Sequence, residues 1–199
     1  MRPITLQVLL TAAAFICLSM LTSARADGPA SEAGFRPETS MNEKVLSIPG
    51  DSTRPVELQA TLYTPNGQGP FPLFVMNHGA DGSVRPELQT RFHLTFSAYY
   101  FLSRGYAVVL PMMRGYAGSG GRMEHYRCDY ENVGRNNARD IRAVIDYMAS
   151  QPNIDGNRVV VAGESFGGWN TLALGTLHDP RVKGLINVAG EWVHPIALK

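Results

Sequence analysis

The hydrophobic pattern changes period along the chain, and each change marks an element. Val45-Leu46-Ser47-Ile48 is a short run closed by Pro49-Gly50. From Val56 to Tyr63 the positions alternate, with Val56, Leu58, Ala60 and Leu62 on one side and Glu57, Gln59, Thr61 and Tyr63 on the other. Period two predicts a half-buried strand, and Pro65-Asn66-Gly67 a turn. The two runs read as an antiparallel edge hairpin. Pro72–Met76, Tyr106–Leu110 and Val159–Ala162 are instead continuously apolar, as strands covered on both faces are. Helical spacing falls between them. Phe92–Ser103 carries Phe96, Tyr99, Tyr100 and Leu102 and stops at Arg104-Gly105. Asn136–Ser150 places Ile141, Val144, Ile145 and Met148 on one face. Pro152–Gly156 reads as a turn. A further helix carries Trp169, Leu172, Ala173 and Leu177, and Val182–Ala189 is a last strand stopped by Gly190. Strands that alternate with helices predict parallel pairing through right-handed crossovers. The fold class is therefore α/β: a mostly parallel sheet with helices on both faces and an antiparallel N-terminal edge.

In such a sheet ligands bind at the carboxyl ends of the strands, and two of those ends carry chemistry. The strand Val159–Ala162 runs into Gly163-Glu164-Ser165-Phe166-Gly167-Gly168, which has the Gly-x-Ser-x-Gly spacing of a nucleophile elbow. A strand that turns sharply into a helix there exposes the serine hydroxyl. Gly163 and Gly167 leave room where a Cβ would collide with neighbouring backbone. The N–H of Phe166, at the start of the following helix, is aimed at a developing oxyanion. The strand Pro72–Met76 ends at Asn77-His78-Gly79-Ala80. There Ala80 N–H is the expected second oxyanion donor, and the His78 ring is expected to hold the loop by hydrogen bonds rather than act as a base. The stretch Met112–Val133 contains Arg114–Arg122, rich in glycine. It lacks the Gly-Lys-Ser/Thr of a phosphate loop and reads as the floor of the cleft beside the elbow.

Composition narrows the setting. The formal net charge is +1 with no basic block, so no nucleic-acid partner is expected. Arg2, the apolar run Val8–Leu21 and Ala24-Arg25-Ala26 form a secretory signal over residues 1–26, with an apolar run shorter than the roughly 20 residues of a membrane span. Ile16 before Cys17 is too large for a lipoprotein signal. Residues 27–42 read as a flexible leader and 43–199 as the domain, exported to a periplasm or beyond. After signal removal no membrane span remains, and Cys128 is the single cysteine, so it has no partner in its own chain. The five histidines are scattered, without the spacing of a zinc site; no metal and no cofactor are expected.

With these residues in hand the chain resembles the α/β-hydrolase superfamily, in its dienelactone-hydrolase-like and prolyl-oligopeptidase-like branch. The resemblance is carried by Asn77–Ala80, Arg104–Val109, Met113–Gly121 and Gly163–Gly168, in the family order. It implies Ser165 as nucleophile, Phe166 and Ala80 N–H as oxyanion donors, and a small ester or peptide as substrate. In the family an acid and a histidine follow later strands, whereas this chain ends at Lys199, just beyond the sixth. An incomplete C-terminus and impaired activity are the expectation, because a serine without a base is a poor nucleophile. Downstream of Ser165, His178 and Asp179 fall at the amino end of a strand. Glu191 and His194 fall at the carboxyl end, in the order serine, acid, histidine, and are the remaining candidates for acid and base. The alternative is a non-catalytic remnant or binding module of the same fold, with self-association through an exposed sheet edge.

Overall fold

The computed structural model describes residues 41–93, 95–123 and 129–190. The signal segment, most of the leader, Cys128, Glu191 and His194 lie outside them. No helix of the described residues is long and apolar enough to cross a membrane.

Among the described residues six strands form one sheet in the order β1-β2-β4-β3-β5-β6. β1 is Lys44–Pro49, β2 Glu57–Tyr63, β3 Phe71–Asn77, β4 Ala107–Pro111, β5 Ile154–Glu164 and β6 Val182–Val188. β2 is antiparallel to β1 and β4, and the other pairs are parallel. Among the described residues three α-helices cover the sheet: α1 Thr95–Leu102, α2 Tyr130–Ala149 and α3 Phe166–Gly175. The pleat sorts the strand residues by face. Leu73, Val75 and Val109 pack with Ile141, Val144, Ile145 and Met148 of α2 and Leu174 of α3. Phe74, Val108 and Leu110 pack on the other face with Ala98, Phe101 and Leu102 of α1. The continuous apolar runs of β3, β4 and β5 are thus explained: each strand has a helix on both sides.

Several local expectations change. β2 is not half-buried, because from Ala60 to Tyr63 both faces are covered; it lies inside the sheet, with β1 as the edge. α1 turns Phe96 and Tyr100 outward, 55% and 52% exposed, and Phe101 inward against Phe74. α2 begins at Tyr130, well before Asn136, with Asp129 accepting from the Asn132 N–H as its N-cap. Its first turns bury Val133, Gly134 and Ala138, and Gly134 leaves room for the Trp169 ring of α3. Ile154 to Gly156 belong to β5 rather than to a turn. The buried face of α3 is Gly167, Gly168, Asn170, Thr171 and Leu174, not the stripe of Trp169, Leu172 and Ala173.

Candidate active site

The junction of β5 and α3 is built on steric exclusion. Ser165 is the N-cap of α3 with φ 47° and ψ −120°, a conformation that costs a non-glycine residue about 1–3 kcal/mol and persists only where the surroundings enforce it. A Cβ on Gly163 would lie 2.2 Å from the Gly167 carbonyl oxygen, and one on Gly167 would lie 2.4 Å from the Asn77 carbonyl oxygen. The first turn of α3 therefore packs backbone to backbone against the ends of β5 and β3. The Ser165 N–H donates to Val188 O at 2.8 Å, which fixes the turn to the end of β6. The serine itself is exposed.

The turn after β3 faces it. A Cβ on Gly79 would lie 3.3 Å from the Ser165 Cβ, so only a slim residue fits there. His78 is buried and bonded at both ring nitrogens. The Met113 N–H donates to Nε2 at 2.9 Å, which makes Nε2 the acceptor. The proton is then on Nδ1, which donates to Gly79 O at 2.7 Å. Burial lowers the His78 pKa to about 4, and the ring packs edge-on to Tyr116 at 5.0 Å. A neutral ring with both nitrogens committed holds the loop, as its place beside a glycine suggested, and has no lone pair left to take a serine proton. Among the described residues no hydrogen bond engages the Ala80 N–H. Phe166 is the first residue of α3, so its N–H lies in the first turn of that helix.

Between the two turns opens a cleft of about 560 Å³ that includes Ser165, Ala80, Asp81, Glu164, Val84 and Leu88. Its outer wall is the segment Leu88–His93, of which Phe92 and His93 were expected to open the helix that instead begins at Thr95. Arg91 on that wall is tied to Glu43 at 2.8 Å and to the Thr61 hydroxyl. The segment's place between β3 and α1 was the available signal, since connections at carboxyl ends shape the pocket. The described part of the glycine-rich loop, residues 112–123 and 129–133, plays a different part from the one expected. Among its described residues Met112 alone lines the cleft. Arg114 is anchored to Asp140 of α2 by a bidentate pair at 3.0 and 2.7 Å, and Gly118 lies against Gln59 of β2. These described residues brace His78 through Met113 rather than floor the pocket. His178 and Asp179 lie at the amino end of β6, as the sequence order required, and the Asp179 carboxylate is committed to Arg181.

The model of the X-Pro dipeptidyl-peptidase (S15) family matches residues 51–194. The chain belongs to this family. The quorum-quenching protein AidA of Acinetobacter baumannii is 33% identical over 132 residues, which are 66% of this chain and 40% of that protein. Dipeptidyl-peptidase 5 of Porphyromonas gingivalis is 35% identical over 88 residues, 44% of this chain and 12% of the relative. The chain thus spans less than half the length of both. Among solved structures, the α/β hydrolase GrgF from Penicillium sp. sh18 superposes with a TM-score of 0.57 at 20% identity, covering 72% of this chain and 45% of GrgF. The S15-family chain has the α/β-hydrolase fold, as its motifs implied.

Proposed function

We propose that this S15-family chain is the nucleophile-bearing part of an exported serine hydrolase that cleaves a small ester or amide. Ser165 attacks the carbonyl, and the N–H groups of Phe166 and Ala80 hold the oxyanion. One observation carries the reading. Ser165 stands exposed at φ 47° between β5 and α3, against Gly79 of the opposite turn. A positively dihedral serine at that junction is costly, and placing its hydroxyl above a cleft gives the strain a use. The hydrolase and peptidase relatives support the reaction class. The proton work needs a base, and His78 is unavailable for it. Glu191 and His194 remain the candidates in this chain, and their absence from the site would leave activity impaired. Export to a periplasm or beyond rests on the segment Arg2 to Ala26. Mature protein recovered outside the cytoplasm with Asp27 as its first residue is the expected outcome; retention of Met1 would refute that part.

The test of the reaction is hydrolysis of p-nitrophenyl acetate and of an amino-terminal dipeptide p-nitroanilide by the folded chain. Turnover that Ser165→Ala abolishes is expected. His194→Ala is expected to abolish it as well if the C-terminal pair supplies the base. A folded chain that turns over neither substrate favours the second reading, a binding module of the same fold. The observation favouring that reading is the exposure of Ile186 and Val188 on β6, 42% and 49%, an edge suited to pairing with a second copy.

A further inference from the structure

The buried face of α3 is polar where a helix against a sheet is ordinarily apolar. Asn170 and Thr171 are both 0% exposed, and a buried polar group is costly unless its hydrogen bonds are made. Here they are made, and they lead to the other half of the site. The Asn77 amide, at the end of β3, donates from Nδ2 to Thr171 Oγ1 at 2.9 Å. The Thr171 hydroxyl donates in turn to Gly167 O at 2.9 Å. A Cβ on Gly163 would lie 2.6 Å from the same Oγ1, so the end of β5 closes on it too. One hydroxyl therefore sits where the ends of β3 and β5 meet the first turn of α3. Asn170 makes a second tie: it accepts from Asn137 Nδ2 at 3.0 Å and donates to Met113 Sδ at 3.1 Å, and the Met113 N–H holds His78.

We infer that Thr171, with Asn77, is a positioning pair that sets the spacing between the nucleophile turn and the oxyanion turn. The inference rests on the reading of Ser165 as the nucleophile and adds to it two residues that do not touch substrate. The physical reason is that the two turns share no strand. Ser165 follows β5, and Ala80 follows β3. Backbone pairing ends at Asn77↔Gly163; past that point close packing at Gly167 and Gly79 limits how near the turns approach, and the Asn77–Thr171 hydrogen bond sets their register. A displacement of a fraction of an ångström between nucleophile and oxyanion donors is enough to slow attack.

The experiment uses the whole chain and a fluorophosphonate, whose tetrahedral adduct needs both turns in register. Thr171→Val keeps the shape and removes the hydroxyl, which leaves the Asn77 amide without its acceptor. It is expected to slow the maximal rate of Ser165 labelling by about tenfold, the cost of one unmet buried donor, with little change in half-saturating probe. Thr171→Ser is expected to return the rate to within about threefold of the parent, and Asn77→Leu to match Thr171→Val. The double variant is expected to lose no more than either single one, since they break one interaction. A folded Thr171→Val chain that labels at the parent rate overturns the inference. Hydrogen exchange keeps the two readings apart. If the parent does not label, the nucleophile assignment fails, and the coupling is then read from the Met113 amide, which donates to His78 of the β3 turn. Its exchange is expected to quicken in Thr171→Val; unchanged exchange overturns the coupling whatever Ser165 does.

Discussion

The turn after β3 and the turn after β5 face each other across the same cleft and are held by opposite means. The β5 turn is held by exclusion: Gly163 and Gly167 admit no Cβ, and backbone meets backbone within 2.4 Å of where one would be. The β3 turn is held by bonds: His78 is fixed at both nitrogens, its partner Met113 by the loop that Arg114 anchors to Asp140, and Asn77 by Thr171. Steric exclusion gives a rigid pivot that tolerates no substitution. A hydrogen-bonded turn is adjustable and answers to pH and to distant residues. The nucleophile is on the rigid side, and the proposed oxyanion donor Ala80 is on the tunable one.

The largest expected effect breaks the rigid side. Gly167→Ala sets a methyl group against the carbonyls of Asn77 and His78 at 2.4 and 2.5 Å. A loss of about 3 kcal/mol or more, at the upper end of overpacking costs, is expected in urea denaturation, with Ser165 labelling abolished. Next is the anchor of the bonded side. Asp140→Ala leaves Arg114 unpaired where both side chains are about nine-tenths covered, at 10% and 8% exposure. Breaking a buried pair at one partner costs about 3 kcal/mol, and the Asp51 N–H loses its acceptor as well. Because Arg114 neighbours Met113, the rate of Ser165 labelling should fall along with the denaturation midpoint. A midpoint shift with an unchanged rate would uncouple the loop from the site.

The pH response comes third. The pKa of His78 is lowered in the folded chain to about 4 by burial, against about 6.5 unfolded. Between those values the unfolded chain takes up a proton that the folded chain refuses, so stability is full above about pH 6.5 and falls as pH drops toward 4. The loss approaches about 3 kcal/mol by linkage. Denaturation midpoints of the parent and of His78→Gln, compared at pH 7 and pH 4.5, should show a smaller pH-dependent drop in the variant; parallel drops would assign the response to other groups. The smallest effect sharpens the contrast from inside the cleft. Glu164 is half-buried, lines the cleft beside Ser165 and has no hydrogen-bonded or ionic partner among the described residues. Glu164→Gln should raise labelling by an anionic phosphonate relative to a neutral one by a few-fold, on the order of one exposed charge–charge interaction. An unchanged ratio would show that its charge does not reach the ligand.

The rigid half of the site was readable in the chain and the bonded half was not. Gly-x-Ser-x-Gly after a β-branched run states its own geometry, because each glycine answers a local collision. The sheet core was readable for a related reason: β3, β4 and the Val159–Ala162 half of β5 are covered on both faces and read as unbroken apolar runs. His78 beside a glycine pointed to a loop-holding ring, but its partner is Met113, thirty-five positions on. Asn77 and Thr171 are ninety-four apart, and no spacing rule joins them. The start of α2 carries little signal because before Asn136 it buries only Val133 and the small Gly134, too few apolar positions for a periodicity. In α1 nearly every residue is apolar, so spacing had no contrast with which to tell Phe96 and Tyr100 from the inward Phe101.

The central claim is that residue 165 is a nucleophile aimed between two turns. It is tested most directly by the intact mass of the folded chain after treatment with a fluorophosphonate, followed by peptide mapping. A single adduct on Ser165, absent from Ser165→Ala and slowed in Thr171→Val, is the expected result. A folded chain that gains no adduct, or carries it on another residue, would contradict the account.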